Sequence, residues 1–184
     1  MEQDQLRVLS RQLTPNDVAA EILALSVVEH SYTADLVIRV KIGAKGASIS
    51  DNGRGMRLYP DPGDTISHAE HALTGFYPCL PADSDTEAVL RELIWDTHGA
   101  LGPALANFAC PSLTFTSQRD NETWSQSYRF GKPLTSPSRR GLSTTTGTII
   151  KFETKGRIDR AVFVDLIDTL NVRISGLPII LLAA

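Results

Sequence analysis

Cysteine is scarce in this chain. The two residues among 184, Cys79 and Cys110, fit neither metal nor redox spacing. A disulfide-stapled module is excluded, and a reducing compartment, the cytoplasm, is the expectation. Long apolar runs are also missing. The longest, Leu177 to Ala184, falls far below the ~20 residues of a spanning helix, and residues 1–20 hold no continuous apolar stretch of the secretory-signal kind. No membrane contact is expected. Neither sign of charge dominates, since 18 Lys+Arg against 21 Asp+Glu leave a net charge of −3. That balance argues against a dedicated nucleic-acid-binding surface. Internal repeats and low-complexity tracts are absent. What the chain does have is 42% apolar and 21% charged residues, the balance of a folded domain. Its length suffices to bury roughly 70% of the unfolded surface without a staple.

Residues 1–13 are polar and mixed and read as an N-terminal arm or short helix, leaving 14–184 as the domain. Thr14-Pro15-Asn16-Asp17 is a helix start: a threonine N-cap, proline at the first helical position, and an acid near the positive end of the dipole. Val18, Ile22 and Leu25, with Ala19 and Leu23 beside them, carry an amphipathic helix to about Ser31. Leu36 to Ile42 and Ala47 to Ser50 alternate as a hairpin around Gly43–Gly46. The returning strand runs into Asp51-Asn52-Gly53-Arg54-Gly55-Met56, whose glycines signal unusual backbone.

A proline-rich stretch follows, and about 57–97 is expected to form an irregular lid. Within it Ser84 and Glu87 fit a capping box that opens a helix buried through Val89, Leu90, Leu93 and Ile94. His98-Gly99-Ala100-Leu101-Gly102-Pro103 breaks that helix. Strands are predicted over Ser112–Gln118, Thr123–Phe130 and Thr146–Glu153, with a loop at Ser136–Arg140. A helix capped by Asp159 runs to about Leu170, and Pro178–Leu182 makes a last, buried strand. The fold class is α+β, a two-layer sandwich with helices on one face of a mixed, mostly antiparallel sheet.

Four motifs stand in a telling order: the 15–31 helix with Val27-Val28-Glu29-His30-Ser31, Asp51-Asn-Gly-Arg-Gly55, His98-Gly99, and Thr146-Gly147-Thr148. The series, over about residues 15–182, resembles the ATP-binding domain of the gyrase, heat-shock chaperone, histidine kinase and mismatch-repair superfamily, the Bergerat fold. It is most similar to the gyrase B and topoisomerase IV branch. The resemblance implies binding of ATP or ADP. Asp51 would accept a hydrogen bond from the adenine amino group, with Gly53, Gly55 and Met56 close to the base and Thr148 beside Asp51. Gly99 and Gly102 would present backbone N–H groups to the phosphates.

Aligned on Val27-Val28, the general-base position falls on Ser26 and the magnesium-ligand position on His30. Serine is no base at neutral pH, and a hard cation prefers oxygen to imidazole. The acid that pairs with the motif arginine falls at Ala34, leaving Arg54 to find Asp35 or a phosphate. Glu29, the acid neighbouring His30, points about 100° round a regular helix from it and cannot simply replace the base. Catalytic residues are therefore absent from this alignment, and hydrolysis is expected to be weak or missing. The alternatives are an ATPase with a repositioned acid, or a protein-interaction domain that no longer binds nucleotide. A protein partner or a second copy is in keeping with the family, and no transducer or strand-cleaving domain is expected within these 184 residues, which stand alone or belong to a longer product.

Ser26 and His30 share a helix face, but no orienting acid or oxyanion hole accompanies them. His68-Ala-Glu-His71 has partial metal spacing without a third ligand and reads as solvated lid. Arg139-Arg140 is a loop feature, and Trp95 and Trp124 fill core or edge positions.

Overall fold

In the computed structural model, residues 3–59, 63, 65–75, 83–96 and 102–183 are described. Helix α1 (Gln3–Ser10) precedes α2 (Pro15–Val28), which passes into a single 3-10 turn at Glu29–Ser31. The hairpin β1 (Ile38–Ile42) and β2 (Gly46–Asp51) is followed by α3 (His68–Thr74) and α4 (Ser84–Leu90), the latter continuing as a π-turn over Arg91–Trp95. Next come α5 (Gly102–Ala109), β3 (Ser112–Arg119), β4 (Glu122–Arg129), β5 (Lys132–Pro133), β6 (Ser138–Leu142) and β7 (Gly147–Glu153). Helix α6 (Arg160–Arg173) and strand β8 (Ile179–Leu181) close the chain.

The strands form one sheet in the order β5-β4-β3-β7-β2-β1-β8, with β6 also on β4. All pairs are antiparallel except β1 with β8, so the two-layer α+β sandwich expected from the sequence is the fold observed. Strand β1 shows why one face is covered: Ile38, Val40 and Ile42 are buried, while Arg39 and Lys41 face solvent.

Helix α2 lies at the centre, against α5 on one side and β2 on another. Thr14 accepts from the Asp17 amide through its hydroxyl, and Asp17 accepts from the Thr14 amide, so both halves of a capping box are made. The helix is buried around most of its circumference rather than along one stripe, because α5, β2, α6 and the 84–95 segment all pack on it. It ends at Val28, three residues before the expected Ser31, and the tighter turn that follows redirects its last side chains.

Four local expectations are corrected. Asp83, not Ser84, caps α4, its carboxylate accepting from the Thr86 amide. The proline-rich segment holds a regular helix, α3, among its described residues, ahead of α4, which is the helix expected after residue 84. Ser136–Arg140 was expected as a loop, yet Ser138–Leu142 pairs with β4, with Arg139 ion-paired to Glu122 at 2.7 Å. The last strand is an edge strand with only Ile179 buried.

Trp95 is buried and Trp124 half-buried, donating its indole N–H to Glu122. Leu6 of α1 packs against Leu105 and Phe108 of α5. No helix among the described residues is long and apolar enough to cross a membrane.

Candidate functional site

Strand register assembles the site. Asp51, the last residue of β2, stands opposite Thr148 on β7, and Thr148 stands opposite Ser117 on β3. The Asp51 side chain turns toward α2. Its Oδ2 accepts from the Ser26 hydroxyl at 2.8 Å, and its Oδ1 accepts from the backbone amides of Gly53 (3.0 Å) and Thr148 (3.1 Å). The carboxylate is therefore held from the helix on one oxygen and from the sheet on the other. Asp51 is only 8% exposed. Burial pushes its carboxyl above the ordinary range, outweighing the hydrogen bonds from Ser26, Gly53 and Thr148 that act downward.

Above this floor lies a cavity of about 350 Å³. Leu25, Met56, Phe115 and Ile150 make its apolar surfaces, and Ser26, Asp51 and Thr148 its polar ones. Arg54, Arg57, His68 and Arg119 add cationic or titratable side chains.

Glu29 and Arg54 form the second polar cluster. Glu29 Oε1 accepts from the Arg54 amide and from Arg54 Nε, both at 2.8 Å, and from the Thr33 hydroxyl at 3.0 Å; Oε2 accepts from Arg54 Nη2 at 3.1 Å. The guanidinium carbon also sits 4.1 Å from the centre of the Tyr32 ring. Burial pushes Glu29 upward, but the side-chain bond, the backbone bond and the charge of Arg54 together prevail, and the carboxyl lies below its ordinary range. Arg54 was expected to seek Asp35 or a phosphate, and its partner is instead Glu29. The 100° step between Glu29 and His30 applies to a regular α-helix, whereas both residues lie in a 3-10 turn.

Two glycines are explained by close approach. A Cβ on Gly53 would overlap the Glu29 side chain on its way to Arg54. Gly55 has φ +72°, and a Cβ there would come within 2.5 Å of the Gln118 carbonyl oxygen.

The other residues singled out in the sequence lie as follows. Ser26, Asp51, Gly55, Met56 and Thr148 share the cavity wall. His30 does not line it; its Nε2 lies 3.1 Å from the Ser175 carbonyl oxygen, behind the helix end. Gly102 opens α5 with φ +62° and is not among the lining residues. His98 and Gly99, like Cys79, fall outside the described residues. Among the described residues no group of three His, Cys, Asp or Glu side chains could hold a metal ion, and His68, exposed as expected, also lines the cavity. Leu25, Arg57, Phe115 and Arg119 were missed. Phe115 carried a signal in the alternation of β3, whereas the arginines had none beyond following the glycine motif and ending a strand.

No known family profile matches the chain. The DNA gyrase B protein of Treponema pallidum is 30% identical over 105 residues, which span 57% of this chain and 16% of that protein. The DNA gyrase B protein of Campylobacter jejuni is 32% identical over 116 residues, 62% of this chain and 14% of that protein. The chain thus corresponds to a small part of the relatives it matches. Among solved structures, the 43K ATPase domain of Thermus thermophilus gyrase B, determined in complex with an aminocoumarin, superposes with a TM-score of 0.71 at 17% identity, covering 89% of this chain and 42% of that one. Sheet order, central helix and these matches agree: the chain has the fold of the gyrase B ATPase domain and is similar in sequence to a part of gyrase B.

Proposed function

We propose that this domain binds an adenine nucleotide in the cavity between α2 and the sheet and hydrolyses it weakly or not at all. The observation that carries the reading is the buried Asp51 carboxylate beside apolar surfaces. A carboxylate has roughly four acceptor positions. The Ser26 hydroxyl and the Gly53 and Thr148 amides take three of them, which leaves one for a donor from the ligand. The exocyclic amino group of adenine supplies such a donor, and the apolar side chains suit a flat ring.

The poor hydrolysis follows from the same contacts. A general base needs an ionised group with a free lone pair in reach of water. Of the two carboxylates among the lining residues, Asp51 has one acceptor position left, which the ligand's amino group takes, and Glu29 has both oxygens bonded to Arg54. Ser26 spends its proton on Asp51 and is no base.

The residues present do not fit a magnesium ion as they are arranged. Magnesium demands near-octahedral oxygen ligands. His30 offers nitrogen and faces Ser175, while Glu29 would have to release Arg54. Nucleotide binding without magnesium is the expected behaviour.

Thermal unfolding with ATP, ADP and a non-hydrolysable analogue, with and without magnesium, tests the reading. Ligand at 100 times its Kd stabilises by about 2.7 kcal/mol, a rise of roughly 5–10 °C for this size. The rise should be lost in Asp51→Ala and be indifferent to magnesium. No shift at millimolar nucleotide would leave an interaction domain on this scaffold. Phosphate release abolished by Glu29→Ala would overturn the hydrolysis-poor half of the proposal.

A further inference from the structure

We infer that Ser26 is a specificity-determining residue of the cavity, its hydroxyl clamping Asp51 as a fixed acceptor that admits a 6-amino purine and rejects a 6-oxo purine. The inference rests on the nucleotide-binding reading and goes beyond it by assigning discrimination to a second residue. It also gives Ser26 a role of its own, where alignment had cast it as the remnant of a lost base.

The geometry is specific. A serine inside a helix ordinarily bonds back to a carbonyl one turn earlier. Ser26, 2% exposed, reaches instead across the layers to a side chain 25 residues away, at 2.8 Å. The two amides on Oδ1 come from the sheet and its following turn, so without Ser26 the carboxylate would be held through one oxygen only. With Ser26, donors on both oxygens fix its plane, and the rotation that would turn Oδ2 away from the cavity costs a charge-assisted bond. Helix α2 is buried on most sides, so the clamp cannot drift.

Such a fixed acceptor treats the two purine classes differently. An amino group at position 6 donates into the one free lone pair. A carbonyl oxygen there sets lone pair against lone pair and leaves two buried acceptors unpaired, the kind of mismatch that yields the largest discrimination. Removing the Ser26 hydroxyl frees Oδ2 to rotate. It also removes a hydrogen bond that opposes the upward push of burial on Asp51, so the acid form, which can donate to a 6-oxo group, becomes more accessible.

Calorimetric titration of ADP and IDP into the wild type, Ser26→Ala and Ser26→Cys tests this at one pH and without magnesium. The wild type should prefer ADP, and Ser26→Ala should narrow the ADP-to-IDP ratio by roughly tenfold, the worth of one hydrogen bond to a charged group. A residue that merely fills space would weaken both ligands alike; an unchanged ratio with either variant overturns the inference. Should Ser26→Ala fold poorly, Ser26→Cys keeps the volume with a much weaker donor and should narrow the ratio in the same direction. A wild type that binds ADP without preferring it over IDP overturns the discrimination alone. A wild type that binds neither nucleotide overturns the nucleotide reading and this inference with it.

Discussion

Helix α2 carries glutamates in two contrasting settings. Glu21, in its middle, is fully buried, and neither carboxyl oxygen has a hydrogen-bond partner. Glu29, just past its end, is largely buried too, yet four donated hydrogen bonds converge on it. The consequences are opposite. Burial, and then the charge of Asp17 one turn away, push the Glu21 carboxyl up to about 7. Glu29 lies below its ordinary range. Burial alone thus makes an acid cling to its proton, while burial with converging donors makes a fixed charge that can line a site. A strongly displaced carboxyl is often taken as a pointer to function. Here that pointer leads to Glu21, which is not among the cavity's lining residues, and the hydrogen-bond census leads to Glu29 and Asp51 instead.

The sharpest way to break this comparison is Glu21→Gln. The native carboxyl near 7, against an ordinary value of 4.5, means the folded state holds the proton more tightly. Stability from this group is complete below about 4.5 and is lost as pH rises toward about 7, staying low above it. The interval corresponds to about 3 kcal/mol. Glu21→Gln should therefore raise the melting temperature at pH 8 by roughly 5–10 °C and bring the variant back toward wild type near pH 4.5. Melting curves of both proteins from pH 4.5 to 8 check it, and a constant difference between them would mean that Glu21 is ionised throughout.

How much of this was legible in the sequence depends on the range of each interaction. The α2 start could be read because the Thr14 cap needs only residues three positions apart. The register of Asp51 opposite Thr148 was foreshadowed by glycine motifs at the ends of two strands. Strand β6 was hidden, since Ser138–Leu142 has loop composition and becomes a strand only by pairing with β4. The Glu29–Arg54 pair was hidden because alignment put the arginine's acid at Ala34, whereas the partner found is a residue at the start of a 3-10 turn, 25 positions from Arg54. The Ser26 hydroxyl gave no signal either, because a small helical residue looks the same whether it fills space or clamps a carboxylate. Local chemistry could be read directly, and contacts made between layers could not.

Glu29→Gln sharpens the other side of the comparison. The pair joins a mostly buried carboxylate to an Arg54 side chain that is 51% exposed, so solvent weakens it. The Arg54 amide keeps an acceptor in the variant's amide oxygen. A loss of about 1–2 kcal/mol at neutral pH is expected. The sign is the reverse of that at Glu21. A depressed carboxyl contributes stability above the ordinary value of 4.5, and that stability is lost as pH falls through the native value. The difference between Glu29→Gln and wild type should shrink in acid, while the difference for Glu21→Gln shrinks there from the stabilised side. Parallel pH profiles for the two variants would erase the distinction drawn between them.

The smallest effect is expected at the start of the same helix. Thr14 and Asp17 exchange hydrogen bonds at an exposed end, Thr14 N to Asp17 Oδ2 at 2.7 Å and Asp17 N to Thr14 Oγ1 at 3.2 Å. Thr14→Ala removes the hydroxyl but leaves Asp17 able to accept from the residue 14 amide, so the cost should be about 1 kcal/mol, or 2–4 °C in melting temperature. Because the cap carries no buried charge, the loss should be uniform from pH 5 to 8. Nucleotide affinity should not change, since Ser26 lies three turns further along and is held by Asp51 rather than by the cap. A Thr14→Ala variant whose loss varies with pH would show that the cap and Glu21 act as one unit, with Asp17 as the link between them.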